Sequence, residues 1–149
     1  MTATVSAHDP AALQAAHGAL LALCDTLERI ADSLPRHIDA GDLSATAAAL
    51  VPLVEKAHGL EAQWFHTRVE RETATCFSAL MMERLQAGHR HDRAAAQELA
   101  LTLQVVRRGN CGLSWETIGY MLRGFFETVR RHVASSQQMM SALHYGEPA

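Results

Sequence analysis

The chain has 149 residues and a mass of 16.3 kDa, enough for one domain with a substantial core. Hydrophobic residues make up 48% and charged residues 19%, the balance of a compact globular chain rather than a disordered one. A formal net charge of −3 and a pI near 6.3 exclude the basic face that nucleic acid or an acidic membrane demands, and no apolar run approaches the ~18 residues of a bilayer span.

Residues 1–9 carry neither the basic start nor the apolar stretch of a signal peptide and read as a flexible lead-in. Cytoplasmic residence is therefore expected. The first helix is predicted to begin at Asp9-Pro10, a capping acid followed by a proline suited to the first turn. Its seam runs Leu13, His17, Leu20, Cys24, Leu27, Ala31 and Leu34, and Pro35 ends it. A second helix should open after Gly41-Asp42 with Asp42 as its cap. Its seam reads Ala47, Val51, Val54, His58, Glu61 or Ala62, Phe65 and Val69, and Pro52 inside it predicts a kink or an irregular first half.

The third helix is expected from about Thr73 to Arg108, stopped by Gly109-Asn110. Met82, Leu85, His89, Asp92, Ala96, Leu99, Leu103 and Val106 form its apolar stripe. A fourth follows Ser114 as cap, with Ile118, Met121, Phe125, Val129, His132, Ser136, Met139 and Leu143 on one face. Short connections between four helices and no competing strand pattern predict an all-α fold, an up-down-up-down antiparallel four-helix bundle over 10–145, with 146–149 as a tail.

The chain holds nine histidines, and His17, His58, His89 and His132 fall one per helix in the middle of each seam. A neutral imidazole has two polar nitrogens, so burying it costs free energy unless partners are present. Counted from the bundle face shared by the end of the first helix, the four lie 16, 15, 19 and 17 residues deep. That spread is about 6 Å at ~1.5 Å per residue, one layer within the uncertainty of helix ends. The spacing from His17 to His58 is 41 residues and from His89 to His132 is 43, so the chain reads as two echoed hairpins.

Imidazoles suit iron, zinc, copper and nickel, and neighbouring carboxylates favour iron or manganese. Glu61, three residues after His58, shares its face and is a candidate oxygen ligand; Asp92 stands in the same relation to His89. Either acid could instead orient an imidazole through its second nitrogen. A structural alternative has the histidines bonded to one another, to these acids, to Ser136 and to trapped water. Haem held between imidazoles is a third, weaker reading.

The remaining residues point elsewhere. His66 reads as a surface or capping histidine, His91 as turned away from the layer, and His8, His37 and His144 as end or loop residues. The methionines, Trp64, Phe65, Phe125 and Phe126 read as core packing. Arg107-Arg108 and Arg130-Arg131 read as solvated helix charges. Cys24, Cys76 and Cys111 are scattered, so no disulfide framework or thiolate zinc site is indicated, and Cys24 is expected to be a buried core thiol. There is no nucleophile–base–orienter set and no phosphate-binding glycine loop. An enzymatic role is not expected.

Four stretches in order, AHGALLALCDTLERIADSLP, LVPLVEKAHGLEAQWF, MMERLQAGHRHD and YMLRGFFETVRRHVASSQQMM, resemble the hemerythrin-like HHE cation-binding family over about Pro10 to Leu143. The resemblance implies a four-helix bundle with a non-heme di-iron centre that binds oxygen, senses iron or oxygen, or handles nitric oxide or peroxide. His17, His58, His89 and His132 match the family's histidines on helices 1 to 4. The family's acids do not carry over: Ala62, Ser136 and Gly88 stand at the matching positions.

Two irons a few ångströms apart repel unless carboxylates bridge them. The expectation is therefore a divergent member with His17, His58, Glu61, His89 and His132 as metal ligands. Iron is the expected cofactor, as a single ion or an atypical pair, with a small ligand such as dioxygen or nitric oxide and a sensing or binding role. The alternative is a metal-free bundle acting as an interaction or regulatory module, as a homodimer or with a protein partner.

Overall fold

In the computed structural model, which describes residues 10–71, 76–109 and 112–145, the chain folds into four helices: α1 (Pro10–Ser33), α2 (Ala40–Arg71), α3 (Cys76–Arg107) and α4 (Trp115–Tyr145). The expected capping role of Asp9, the expected α3 start at Thr73, the expected stop residue Asn110 and the segments 1–9 and 146–149 lie outside the described residues. So does the environment of Cys111.

Helix ends follow local chemistry. Ser33 closes α1 by donating its hydroxyl to the Ile30 carbonyl at 2.9 Å, and Leu34-Pro35 carries the chain away. The cap of α2 is Asp39, not Asp42: its Oδ1 accepts from the amides of Gly41 at 2.8 Å and Asp42 at 3.2 Å. Asp42 lies one turn too late to cap, within the first turn, where its charge still complements the helix dipole.

The expected break at Pro52 does not occur, and α2 continues through it. Pro52 is exposed, so the carbonyl deprived of its amide partner lies on the face where water can serve it. Gly109, with φ of 74°, ends α3 in the left-handed conformation and donates its amide to the Val106 carbonyl at 3.0 Å. Ser114 caps α4 as expected, accepting from the Thr117 amide at 3.1 Å.

The helices form the antiparallel bundle that the short connections predict. α1 packs on α2 and α4, α2 packs on α3, and the α3–α4 pair is the loosest seam. The predicted stripes face inward: Leu13, His17, Leu20, Cys24, Leu27 and Ala31 of α1 are all buried. Arg123 and Arg130 tie the outside of α4 to α1, reaching Asp32 at 3.1 Å and Asp25 and Glu28 at 2.8 Å each. Arg130 is thus a partner for two α1 acids rather than a lone solvated charge, although exposed pairs of this kind contribute only ~0–1 kcal/mol.

Apolar packing divides into two parts. The larger runs from Ala31 and Leu43 at one end of the bundle up to Ala16 and Val133. The smaller gathers Leu13, Trp64, Phe65 and Met140 near the other end, with Trp64 edge-on to Phe65 at 4.9 Å. Between them lies a polar layer. Among the described residues, no helix is long and apolar enough to cross a membrane.

Candidate metal centre

The layer is built from all four helices. His17 of α1 is fully buried, and Glu61 of α2 and Asp92 of α3 are 6% and 3% exposed, placing two carboxylates and an imidazole out of water in the centre of the bundle. Groups of this kind stay buried only when paired. Glu61 is paired twice: His17 Nε2 donates to its Oε1 at 2.6 Å and His89 Nε2 to its Oε2 at 2.7 Å. One carboxylate therefore joins α1, α2 and α3, each oxygen facing a different imidazole.

Asp92 plays a related part on the other side. His132 Nδ1 of α4 donates to its Oδ2 at 2.5 Å, while His58 Nε2 stands 3.8 Å from the same oxygen, beyond direct hydrogen bonding. His58 lies flat on His89, with ring centroids 4.0 Å apart and planes 10° from parallel, so the two halves of the layer are in contact.

Electrostatics follow from this arrangement. Burial would raise the Glu61 carboxyl, but the hydrogen bonds from His17 and His89 outweigh it and hold the group at about 2. His58 is lowered to about 4, first by burial and then by the neighbouring His89. Cys24, one seam step below His17 and Leu20, is raised to about 11, chiefly by burial, which makes it the inert core thiol the sequence predicts.

The four histidines lie in contact with the two carboxylates or with one another, but they are unequal. His17 is sealed, His58 and His89 are about 15% exposed, and the His132 side chain is 47% exposed. The expectation of a uniformly buried set fails at His132 because the loosely packed α3–α4 seam leaves it at the edge. His91 is turned outward as expected, 76% exposed. Trp64, Phe65, Phe125 and Phe126 are core residues, and Met140 is buried while Met81 and Met139 line a cavity. Ser136, a proposed partner for the imidazoles, makes no hydrogen bond although it is buried.

A profile of the hemerythrin HHE cation-binding domain matches residues 8–143, nearly the whole chain and all four helices. The chain belongs to that family. No curated protein and no solved structure matches it.

As a hemerythrin-type bundle, the chain is divergent at its acids. Where the resemblance leads one to expect carboxylates, Ala62, Gly88 and Ser136 stand, yet two carboxylates are present in the layer all the same. They come from His58-x-x-Glu61 on α2 and His89-x-x-Asp92 on α3, the same spacing on adjacent helices. Asp92 is the residue undervalued from sequence. The repeated His-x-x-acid pattern is the signal that marks it.

Two features bear on whether an ion fits. The donor types do: four imidazoles and two carboxylates suit iron or another first-row metal. The arrangement pairs these donors with one another, however, and among the described residues no three His, Cys, Asp or Glu side chains converge on a common point. His17 Nδ1 is also buried without a hydrogen-bond partner, whereas the second nitrogen of a ligating histidine usually has one.

Proposed function

We propose that this hemerythrin-type bundle holds a metal, iron by the chemistry of its donors, through His17, His58, Glu61, His89 and His132, with Asp92 completing the set. The supporting observation is Glu61, whose two oxygens each face an imidazole from a different helix. That is the disposition expected of a carboxylate able to serve two positions at once, one helical residue away from Ala62. Bound there, iron would supply the chemistry for capturing a small ligand such as dioxygen or nitric oxide.

The chain's own contribution would be to hold the site together. Glu61 fixes His17 and His89, Asp92 fixes His132, and the apolar clusters flank the layer above and below. The role we assign is binding or sensing in the cytoplasm. Anaerobic Fe(II) loading followed by chelator competition tests this: His17→Ala and Glu61→Ala should each release iron much faster than the parent. Equal retention in all three proteins would rule out the assigned ligands.

A second reading has specific support in the direct imidazole–carboxylate bonds, which satisfy the buried charges without an ion. On that reading the bundle is a metal-free interaction or regulatory module. It requires that the same two variants lose stability while binding no less metal than the parent.

A further inference from the structure

Seven large hydrophobic side chains are exposed among the described residues, and five of them, Leu101, Val105, Leu113, Trp115 and Tyr120, fall in the end of α3, the start of α4 and the turn between them. Scattered singly, such residues need no explanation; gathered on one helical hairpin, they mark a surface that meets a partner. Leu101, at 69%, and Tyr120, at 83%, are the most open. Beside them a groove of about 250 Å³ follows the loose α3–α4 seam, its lining including Ala95, Glu98, Leu99, Tyr120, Gly124 and Phe125. Gly124 adds no side chain to that lining, and a Cβ there meets no atom within 4 Å.

The outward stripe of α3 points to the partner. Glu98, Leu101, Val105 and Arg108 recur at steps of three, four and three, so they share one helical face, and all four are exposed. Along the helix they read acid, apolar, apolar, base. Laid antiparallel against a second copy of itself, this stripe sets Glu98 opposite Arg108 and Leu101 opposite Val105, each pairing occurring twice. Laid parallel, it opposes like charges. Among the described residues neither Glu98 nor Arg108 enters an ion pair within the chain, so both charges are available to another molecule.

Helix α4 leads to the same symmetry axis by a separate route. The Asp92–His132 bond fixes the level of α3 against the antiparallel α4 and puts Leu103, midway between Glu98 and Arg108, level with Met121. The midpoint of Tyr120 and Gly124 is Leu122, one residue or ~1.5 Å away. One twofold axis therefore serves both helices: it pairs the α3 stripes and brings the protruding Tyr120 of each copy over the open groove at Gly124 of the other.

We propose that this face is a homodimer interface, an isologous antiparallel contact between two copies of the chain through α3 and α4. Both its charges and its relief match themselves, which is the signature of a surface made for its own copy. Glu98, Leu101, Val105, Arg108, Tyr120 and Gly124 all lie outside the histidine layer, so the dimer does not rest on the metal reading. The stripe is only ~15 Å long, which places the contact at the small end of specific interfaces and makes the dimer reversible and concentration-dependent.

Sedimentation equilibrium of the full chain at low ionic strength, from micromolar to millimolar concentration, tests this on protein as purified and after chelator treatment. A monomer–dimer equilibrium is expected in both preparations. Leu101→Glu should weaken it by at least about thirtyfold, since a charge would have to enter the contact. Glu98→Arg and Arg108→Glu should each weaken it by about tenfold by opposing like charges, the double variant should regain the parent's association, and a mixture of the two single variants should pair more tightly than either alone. Melting temperatures of all variants should stay near the parent's, because these positions are exposed in the single chain. A chain that stays monomeric at every concentration would overturn the proposal, as would a dimer that Leu101→Glu leaves intact. Failure of both the double variant and the mixture to restore pairing would overturn the antiparallel arrangement.

Discussion

Glu61→Gln is the perturbation that probes the centre of the layer. The carboxylate accepts two charge-assisted hydrogen bonds, from fully buried His17 at 2.6 Å and from His89 at 2.7 Å. Each bond of this class contributes ~1.5–3 kcal/mol. Glutamine keeps the shape and one acceptor oxygen, so one bond survives in weaker neutral form, while the other imidazole N–H meets an amide donor. The net loss should be about 2–4 kcal/mol, or about 5–15 °C in melting temperature for a chain of this size.

Urea unfolding followed by circular dichroism in chelator-treated protein measures it. The pH dependence supplies a second check with a definite sign. The Glu61 carboxyl is held at about 2, against an ordinary 4.5, so its contribution is complete above 4.5 and disappears as pH falls towards 2. The gap between parent and variant should therefore narrow over that window. A loss below ~0.5 kcal/mol, or a gap that does not narrow, would refute the view that Glu61 organises the layer.

Other outcomes follow from the same geometry. His58 is lowered to about 4 from 6.5, so the metal-free protein should lose stability as pH falls from 6.5 to 4, and His58→Leu should flatten that limb in a denaturant-midpoint series. Gly88→Ala should raise stability by ~1 kcal/mol, because a Cβ there meets nothing and glycine is costly inside a helix; chemical denaturation checks this. Cys24, buried and raised to about 11, should react with a thiol reagent at pH 7.5 only as fast as the protein unfolds, which mass spectrometry with and without denaturant resolves.

Much of the fold was legible in the sequence because helical periodicity and end signals are local. The α1 seam from Leu13 to Ala31, the Ser114 cap and the Gly109 stop depend on residues within a few positions of each other. The Asp39 cap was harder, since Asp42 carries the same chemistry and only the backbone path decides between them. Pro52 misled because its cost depends on whether the freed carbonyl faces water, which is a tertiary fact.

The site was legible in its histidines and in Glu61, whose helical spacing places them on the inner faces. What the sequence could not give is how the helices pair at that level. The twofold use of Glu61 requires α1 and α3 to approach α2 at one height, and the exposure of His132 follows from the loose α3–α4 seam. The cavity arises from the same seam. No periodicity encodes the size of a gap, and Ser136, by its spacing a candidate partner for the imidazoles, stands without a hydrogen bond in the structure.

The central claim is that the layer formed by His17, His58, Glu61, His89, Asp92 and His132 is a metal site. Elemental analysis of the untagged protein, as purified and again after anaerobic iron loading and desalting, tests it most directly. The account predicts at least about one retained equivalent of a transition metal per chain, iron foremost. Far less than one equivalent of any transition metal in both preparations would contradict it.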